Sequence, residues 1–247
     1  MGVAAERLVQ ERIAAALPDG ARLYANVRFV ARTRSHGPAH DGEADLVLVH
    51  PDNGLLVFEV KSGTPSRDAH GDWFIGGHPL DRSPFKQAED AKHDLKRAIA
   101  DLPGGPREQD LRAGHAVTFP DVDLASLPRG HVLLGPDAPR EITLDADSFA
   151  DISATRRALD GAWEFWVGDG ARGRPLTAAE MARIDDFLSP VVELRRLLRH
   201  DIDDARARLV QASNAQRQIL NMARSQRRVE IIGPAGSGKS LVAVEKA

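Results

Sequence analysis

Apolar positions recur at helical spacing near the start of the chain: Val3, Val9, Ile13 and Leu17 fall on one face at about 100° per residue. Glu6 projects into that stripe, whereas Arg7 and Glu11 do not. A carboxylate so placed is desolvated, paired or cation-bound, unless the stripe ends before the first turn and leaves it in water. The pattern then changes to short apolar runs. Residues 23 to 30 predict a strand, and the polar stretch 31 to 43 (ARTRSHGPAHDGE) predicts an irregular loop. Strands are expected at 45 to 50 and 55 to 61, joined through Pro51-Asp52-Asn53-Gly54, where Gly54 suits a positive φ. In the second strand Glu59 and Lys61 share a face, and Phe58 and Val60 point the other way. Residues 73 to 75 read as another short strand.

Ser83-Pro84 resembles an N-cap and first helical residue, opening a helix to about residue 101 that buries Phe85, Ala88, Leu95 and Ile99 and carries Gln87 on its flank. Buried strands are expected at 115 to 119 and 131 to 134, then a helix at 151 to 166 whose Trp163 and Trp166 suit packing better than base stacking. After Gly168 the stretch GDGARGRPL reads as a linker. Thr177 and Glu180 form a capping box for a helix that Pro190 stops. Residues 191 to 228 read as helical and arginine-rich, with Arg195, Arg196, Arg199, Arg206 and Arg208 on either a solvated or a phosphate-tracking face.

Composition narrows the function classes. The 247 residues, 42% hydrophobic and 28% charged with a net charge of −3, are ordinary for a soluble globular protein. Without cysteine there are no disulfides, thiolate zinc sites or cysteine nucleophiles. No apolar run approaches the roughly 18 residues of a membrane span, and the N-terminus is charged too early for a signal peptide. The expectation is a cytoplasmic protein with no membrane partner. His36, His40, His70 and His78 show no metal-ligand spacing and are read as loop residues.

Chemistry concentrates in two places. Across the expected hairpin, Asp45 and Glu59 are two carboxylates that do not comfortably ionise side by side without a cation between them. Oxygen-only ligands favour Mg²⁺ or Mn²⁺. Lys61 lies on the same face as Glu59 and could stabilise developing negative charge or position an attacking water, which suits phosphodiester hydrolysis. Glu6 is a candidate third carboxylate. The hairpin decides whether this site exists: a four-residue loop puts Asp45 opposite Val60 on the wrong face, whereas a five-residue loop, or a bulge at Gly54, brings it to Glu59. The latter is expected.

These residues also resemble a known family. Glu6 in the first helix, Asp45 ahead of a strand, FEVKSG at 58 to 63, Trp73, SPFKQA with Gln87 and the strand AVTFPDV are similar to the nuclease-related domain, NERD, of the PD-(D/E)xK nuclease superfamily. The resemblance implies metal-ligand roles for Asp45, Glu59 and the Val60 carbonyl, with Lys61 as catalytic lysine. It implies that Glu6 is an outer or direct metal contact, and that Gln87 orients the site or touches substrate phosphate.

The second place is Gly233-Pro234-Ala235-Gly236-Ser237-Gly238-Lys239-Ser240, a full match to the P-loop, preceded by a strand-like VEII and followed by a helix-like segment. Loop N–H groups would cradle the phosphates of ATP, Lys239 would reach the β and γ oxygens, and Ser240 would ligate Mg²⁺. The upstream SNAQRQIL resembles the glutamine motif of superfamily 1 helicases, which implies adenine recognition by Gln216. No Walker B acid follows within the sequence, so the expectation is a truncated motor.

The fold class expected is therefore α/β: a restriction-endonuclease-like mixed sheet flanked by helices over residues 1–168, a linker and helical segment at 169–212, and the first strand–P-loop–helix of a RecA-like ATPase at 213–247. The expected function is metal-dependent nucleic-acid hydrolysis, DNA first, beside an ATP-driven helicase. The alternatives are a nucleic-acid-binding or docking module that cuts poorly, and a nucleotide-binding regulator in which only the P-loop matters.

Overall fold

A computed structural model describes residues 2–32, 38–127, 133–168 and 173–188. Helix α1 (Gly2–Ala15) is followed by strands β1 (Arg22–Arg32), β2 (Ala39–His50) and β3 (Gly54–Val60). A small antiparallel sheet, β4 (Pro65–Arg67), β5 (Trp73–Ile75) and β6 (His78–Pro79), precedes α2 (Pro84–Ala100). Then come β7 (Ala113–Phe119), β8 (Thr143–Asp145), α3 (Ile152–Val167) and α4 (Ala178–Leu188).

The main sheet runs in the order β1-β2-β3-β7-β8, antiparallel across its first three strands and parallel across the last three. It is the mixed sheet flanked by helices that the family resemblance implied. β3 and β7 are buried almost end to end because helices cover both faces, and their parallel pairing requires the crossover that contains α2. Val9 and Ile13 of α1 pack with Leu159 and Trp163 of α3 on one layer; Leu95 and Ile99 of α2 pack with Met181 and Ile184 of α4 on the other. No helix among the described residues is long and apolar enough to cross a membrane.

Several elements differ from the sequence reading. Residues 31–32 and 39–43 belong to strands, not a loop: the β1–β2 hairpin pairs as far as Arg32↔Ala39. Its outward side chains are polar because one face meets no other layer, which hides the strand from a hydrophobicity reading. His40 therefore stands in β2. Leu133 is buried but lies in no strand, and β8 takes the sheet edge instead. Three residues between two single-turn helices carry too little periodicity to be seen. Ser83 precedes α2 but gives it no side-chain cap. Thr177 and Glu180 do make the reciprocal capping bonds (Glu180 N–H to Thr177 Oγ1, 3.2 Å; Thr177 N–H to Glu180 Oε2, 2.8 Å). The helix they open, α4, is a core element of the unit Met1–Val192. Its Asp185 takes both the Tyr24 hydroxyl and the Arg22 guanidinium of β1. The arginine-rich segment, Gln216 and the P-loop, including Lys239 and Ser240, lie outside the described residues.

The β1–β2 hairpin is turned over partway along its length. Asn26 has φ +51°, and Asn26 and Asp45 drop out of a ladder that is otherwise regular from Ala25↔Leu46 to Val27↔Ala44. Before this point Leu23, Ala25 and Leu46 face the α1–α3 layer. Beyond it Val27, Phe29, Ala31 and Ala44 face the α2–α4 layer.

Candidate active site

The turn Pro51–Asn53 has three residues and closes on the pair His50↔Gly54, with Gly54 at φ +76°. This is the glycine-bulge hairpin and not the five-residue loop. Gly54 is required twice over, since a Cβ there would also sit 2.2 Å from the Arg112 carbonyl oxygen. The register this turn imposes, continued from Leu46↔Phe58, sets Asp45 beside Glu59. The ladder itself stops at Leu46↔Phe58, and the Asp45 carboxylate (Oδ2) accepts the Val60 N–H at 2.7 Å.

Glu59, at the end of an otherwise apolar strand, is held by Lys61: Nζ lies 2.5 Å from Oε1. The same ammonium donates to Gln87 Oε1 at 3.1 Å, and Gln87 in turn donates to the Arg82 carbonyl at 3.0 Å. Lys61 is placed by main-chain pairing with β7, its N–H donating to the Thr118 carbonyl at 2.9 Å. The next two residues are pinned by Asp121, which accepts from Ser62 Oγ at 2.8 Å and the Gly63 N–H at 2.7 Å. Four of the residues singled out in the sequence, Asp45, Glu59, Lys61 and Gln87, therefore form one connected site.

Electrostatics mark the pair of carboxylates. Burial, and then the Asp45 charge, raise the Glu59 carboxyl above the ordinary value, against the opposing pull of Lys61. Burial likewise raises Asp45, offset in part by the Val60 N–H and Lys61, with Glu43 adding to the rise. Glu6 reaches this field from α1: its carboxyl is raised by desolvation and by Asp45, and lowered by Lys61. Among the described residues no three His, Asp or Glu side chains converge into a chelating cluster. Glu6 is thus an electrostatic neighbour in this arrangement. The oxygen donors that could hold a divalent cation are the two carboxylates, to which the family resemblance adds the Val60 main-chain oxygen. That all-oxygen set suits Mg²⁺ or Mn²⁺, which keep several waters. Two carboxylates raised in part by each other or by neighbouring acids are also groups a cation would relieve.

The site opens into a cleft of about 390 Å³ lined by Asp41, Glu43, Asp45 and Glu59 on the strands and by Arg82, Gln87, Asp90 and Asp94 on the α2 side. Asp41, Glu43, Arg82, Asp90 and Asp94 escaped the sequence reading, because acidic and basic residues on polar helix or strand faces look alike whether or not a cleft lies beside them. Arg82 is 3.7 Å from Asp90, and His40 Nε2 is 2.9 Å from Asp94 Oδ2. The tryptophans pack internally. Trp73 stacks on Phe119 with ring centroids 6.1 Å apart, and Trp166 Nε1 donates to the His115 carbonyl at 2.8 Å. His70 and His78 stand away from this cleft, in a turn and in β6, and His36 lies outside the described residues.

Residues 1–120 match the family model of the nuclease-related domain, NERD. The match runs from α1 to the end of β7 and contains Glu6, Asp45, Glu59, Lys61 and Gln87. No curated protein and no solved structure matches the chain.

Proposed function

We propose that this nuclease-related domain hydrolyses phosphodiester bonds of nucleic acid, DNA first, with Mg²⁺ or Mn²⁺ held by Asp45, Glu59 and the Val60 carbonyl. The observation that carries the reading is the Asp45–Glu59–Lys61–Gln87 constellation at the head of an acidic cleft. A divalent cation there supplies charge neutralisation and Lewis-acid polarisation of a phosphoryl oxygen. The chain's own groups do the rest. Lys61 presents an ammonium to the negative charge that builds on the phosphoryl oxygens, and is aimed by Glu59 on one side and Gln87 on the other. Arg82, at the cleft rim, meets the phosphate backbone. Glu6 adds negative potential near Asp45, which favours a cation over empty ionised carboxylates.

The test is cleavage of linear, circular and single-stranded DNA by the full chain with Mg²⁺ or Mn²⁺. Lys61→Ala is expected to lower the rate by about 10²-fold or more. Equal cleavage by wild type and Lys61→Ala removes the enzymatic reading.

One observation favours a second reading, a nucleic-acid-binding module that does not cut. The Lys61–Glu59 ion pair supplies to Glu59 the positive charge a metal would otherwise bring. That reading predicts DNA retention in gel-shift assays without products at any metal concentration.

The association with an ATP-driven helicase rests on the P-loop sequence from Gly233 to Ser240 and on Gln216. It predicts nucleotide binding that Lys239→Ala abolishes. Nucleotide binding without any divalent-metal effect at Asp45 would instead favour the regulator in which only the P-loop matters.

A further inference from the structure

The geometry points to Asn26 as the positioning residue of the carboxylate site: its left-handed backbone turns the outer half of the β1–β2 hairpin over and takes Asp45 out of the ladder. Asn26 is the one non-glycine residue among those described with positive φ. Asparagine tolerates that conformation better than most side chains, and a β-branched residue hardly at all. It stands directly across the hairpin from Asp45, between Ala25↔Leu46 and Val27↔Ala44.

An unbroken hairpin would place Val27, Phe29 and Ala31 on the same side as Leu23 and Ala25. They are on the other side, buried with Ala91 and Leu95 of α2, while Arg28, Val30 and Arg32 are exposed. Burial of Val27 and Phe29 offsets the conformational cost at Asn26. The close approach of Gly42 to the Phe29 ring, where a Cβ would be 2.4 Å away, locks the turned-over arm.

The consequence reaches β3. Were β2 to continue in the register of Leu46↔Phe58, Ala44 would come opposite Val60 and their main-chain groups could bond. The ladder instead ends, and the Val60 N–H passes to the Asp45 carboxylate at 2.7 Å. A single backbone conformation at Asn26 thereby sets the direction of the Asp45 carboxylate and removes the main chain of Val60 from the β2 ladder. This assignment rests on the reading of Asp45 and Glu59 as a metal centre.

Backbone preference, and not the amide side chain, is the operative property, so glycine should rescue. In the full chain, Asn26→Gly is expected to keep the Val60 amide resonance and its slow hydrogen exchange, with Mn²⁺ affinity within about twofold of wild type. Asn26→Val is expected to shift that resonance, speed its exchange by about tenfold or more, and weaken Mn²⁺ binding about tenfold or more. Asn26→Ala is read the same way if the valine variant does not fold. A valine or alanine variant matching wild type in both measurements overturns the assignment, as does loss of the Val60 bond in Asn26→Gly. Wild-type protein that binds no Mn²⁺ defeats the metal reading, and the Val60 amide then decides the role of Asn26 alone.

Discussion

The Asp45 carboxylate accepts the main-chain N–H of Val60, 2.7 Å away, at the point where the β2–β3 ladder ends. A side chain thus occupies the place of a strand, and the group that closes the sheet is also a candidate metal ligand. Because burial raises both Asp45 and Glu59, each holds its proton to a higher pH in the folded, metal-free protein than in the unfolded chain. Their contribution to stability is present at low pH and is lost as pH rises from the ordinary carboxylate value through the raised one.

Asp45→Asn removes one of these charges and keeps an oxygen for the Val60 N–H. In EDTA, urea denaturation at pH 8 should show the Asp45→Asn variant to be at least as stable as wild type, with a flatter dependence as pH rises above the ordinary carboxylate value. The same substitution should lower metal-dependent cleavage by about 10²-fold or more. A clear loss of metal-free stability would mean that the ionised carboxylate is needed for the fold.

His115 sits buried in β7 against Trp166 and beside Lys92, whose ammonium lies 4.5 Å from the Trp166 ring centroid. Burial, and then the Lys92 charge, push its imidazole down to about 3. The folded pKa is below the unfolded one, so the unfolded chain takes up the proton first as pH falls. Stability should therefore be full above about pH 6.5 and decline towards pH 3, with a loss of about 2 kcal/mol at pH 5. Denaturant melts of wild type and His115→Gln between pH 7.5 and pH 5 check this. An equal slope in the two proteins would assign the acid sensitivity elsewhere.

Gly42→Ala would drive a methyl into the Phe29 ring and should cost about 1–3 kcal/mol. Shortening the ring in Phe29→Leu should relieve part of the clash, so that the double variant is more stable than the sum of the two single losses. Thermal unfolding of the three proteins gives the coupling directly.

Glu180 accepts from the Thr177 N–H and hydroxyl and from Arg174, at 2.6 Å for the closest guanidinium nitrogen. The Arg174 bond first, with the Thr177 bonds, brings its carboxyl down to about 2. Its stabilisation is present above the ordinary value of 4.5 and lost as pH falls through about 2. Thr177→Ala should cost about 1 kcal/mol at neutral pH in a urea titration, the ordinary worth of an N-cap.

Asp45, Glu59 and Lys61 were legible in the sequence because charges at the end of an apolar strand and a turn of recognisable chemistry are local signals, whereas Gln87 entered only through the family resemblance. The α4 capping box was equally local, and it proved reciprocal in the structure. β8 was out of reach, being three residues without periodicity, and so was the acidic wall of the cleft, which assembles from residues as distant along the chain as Asp41 and Asp94.

Local patterning alone dictates what each layer is made of: apolar residues at alternate positions in β1, an apolar run at 46–49 in β2, an apolar β3 with Glu59 near its end, and a glycine where the turn needs positive φ. Which side those residues face is settled only when the layers pack. Positions 23, 25, 27, 29 and 31 are one uninterrupted alternation in the sequence, yet the chain divides them between two layers at Asn26. Alternation records which residues are apolar and not the dihedral angle of the residue between them. A single left-handed residue, held by the burial of Val27 and Phe29, reverses the strand and brings Asp45 to Val60.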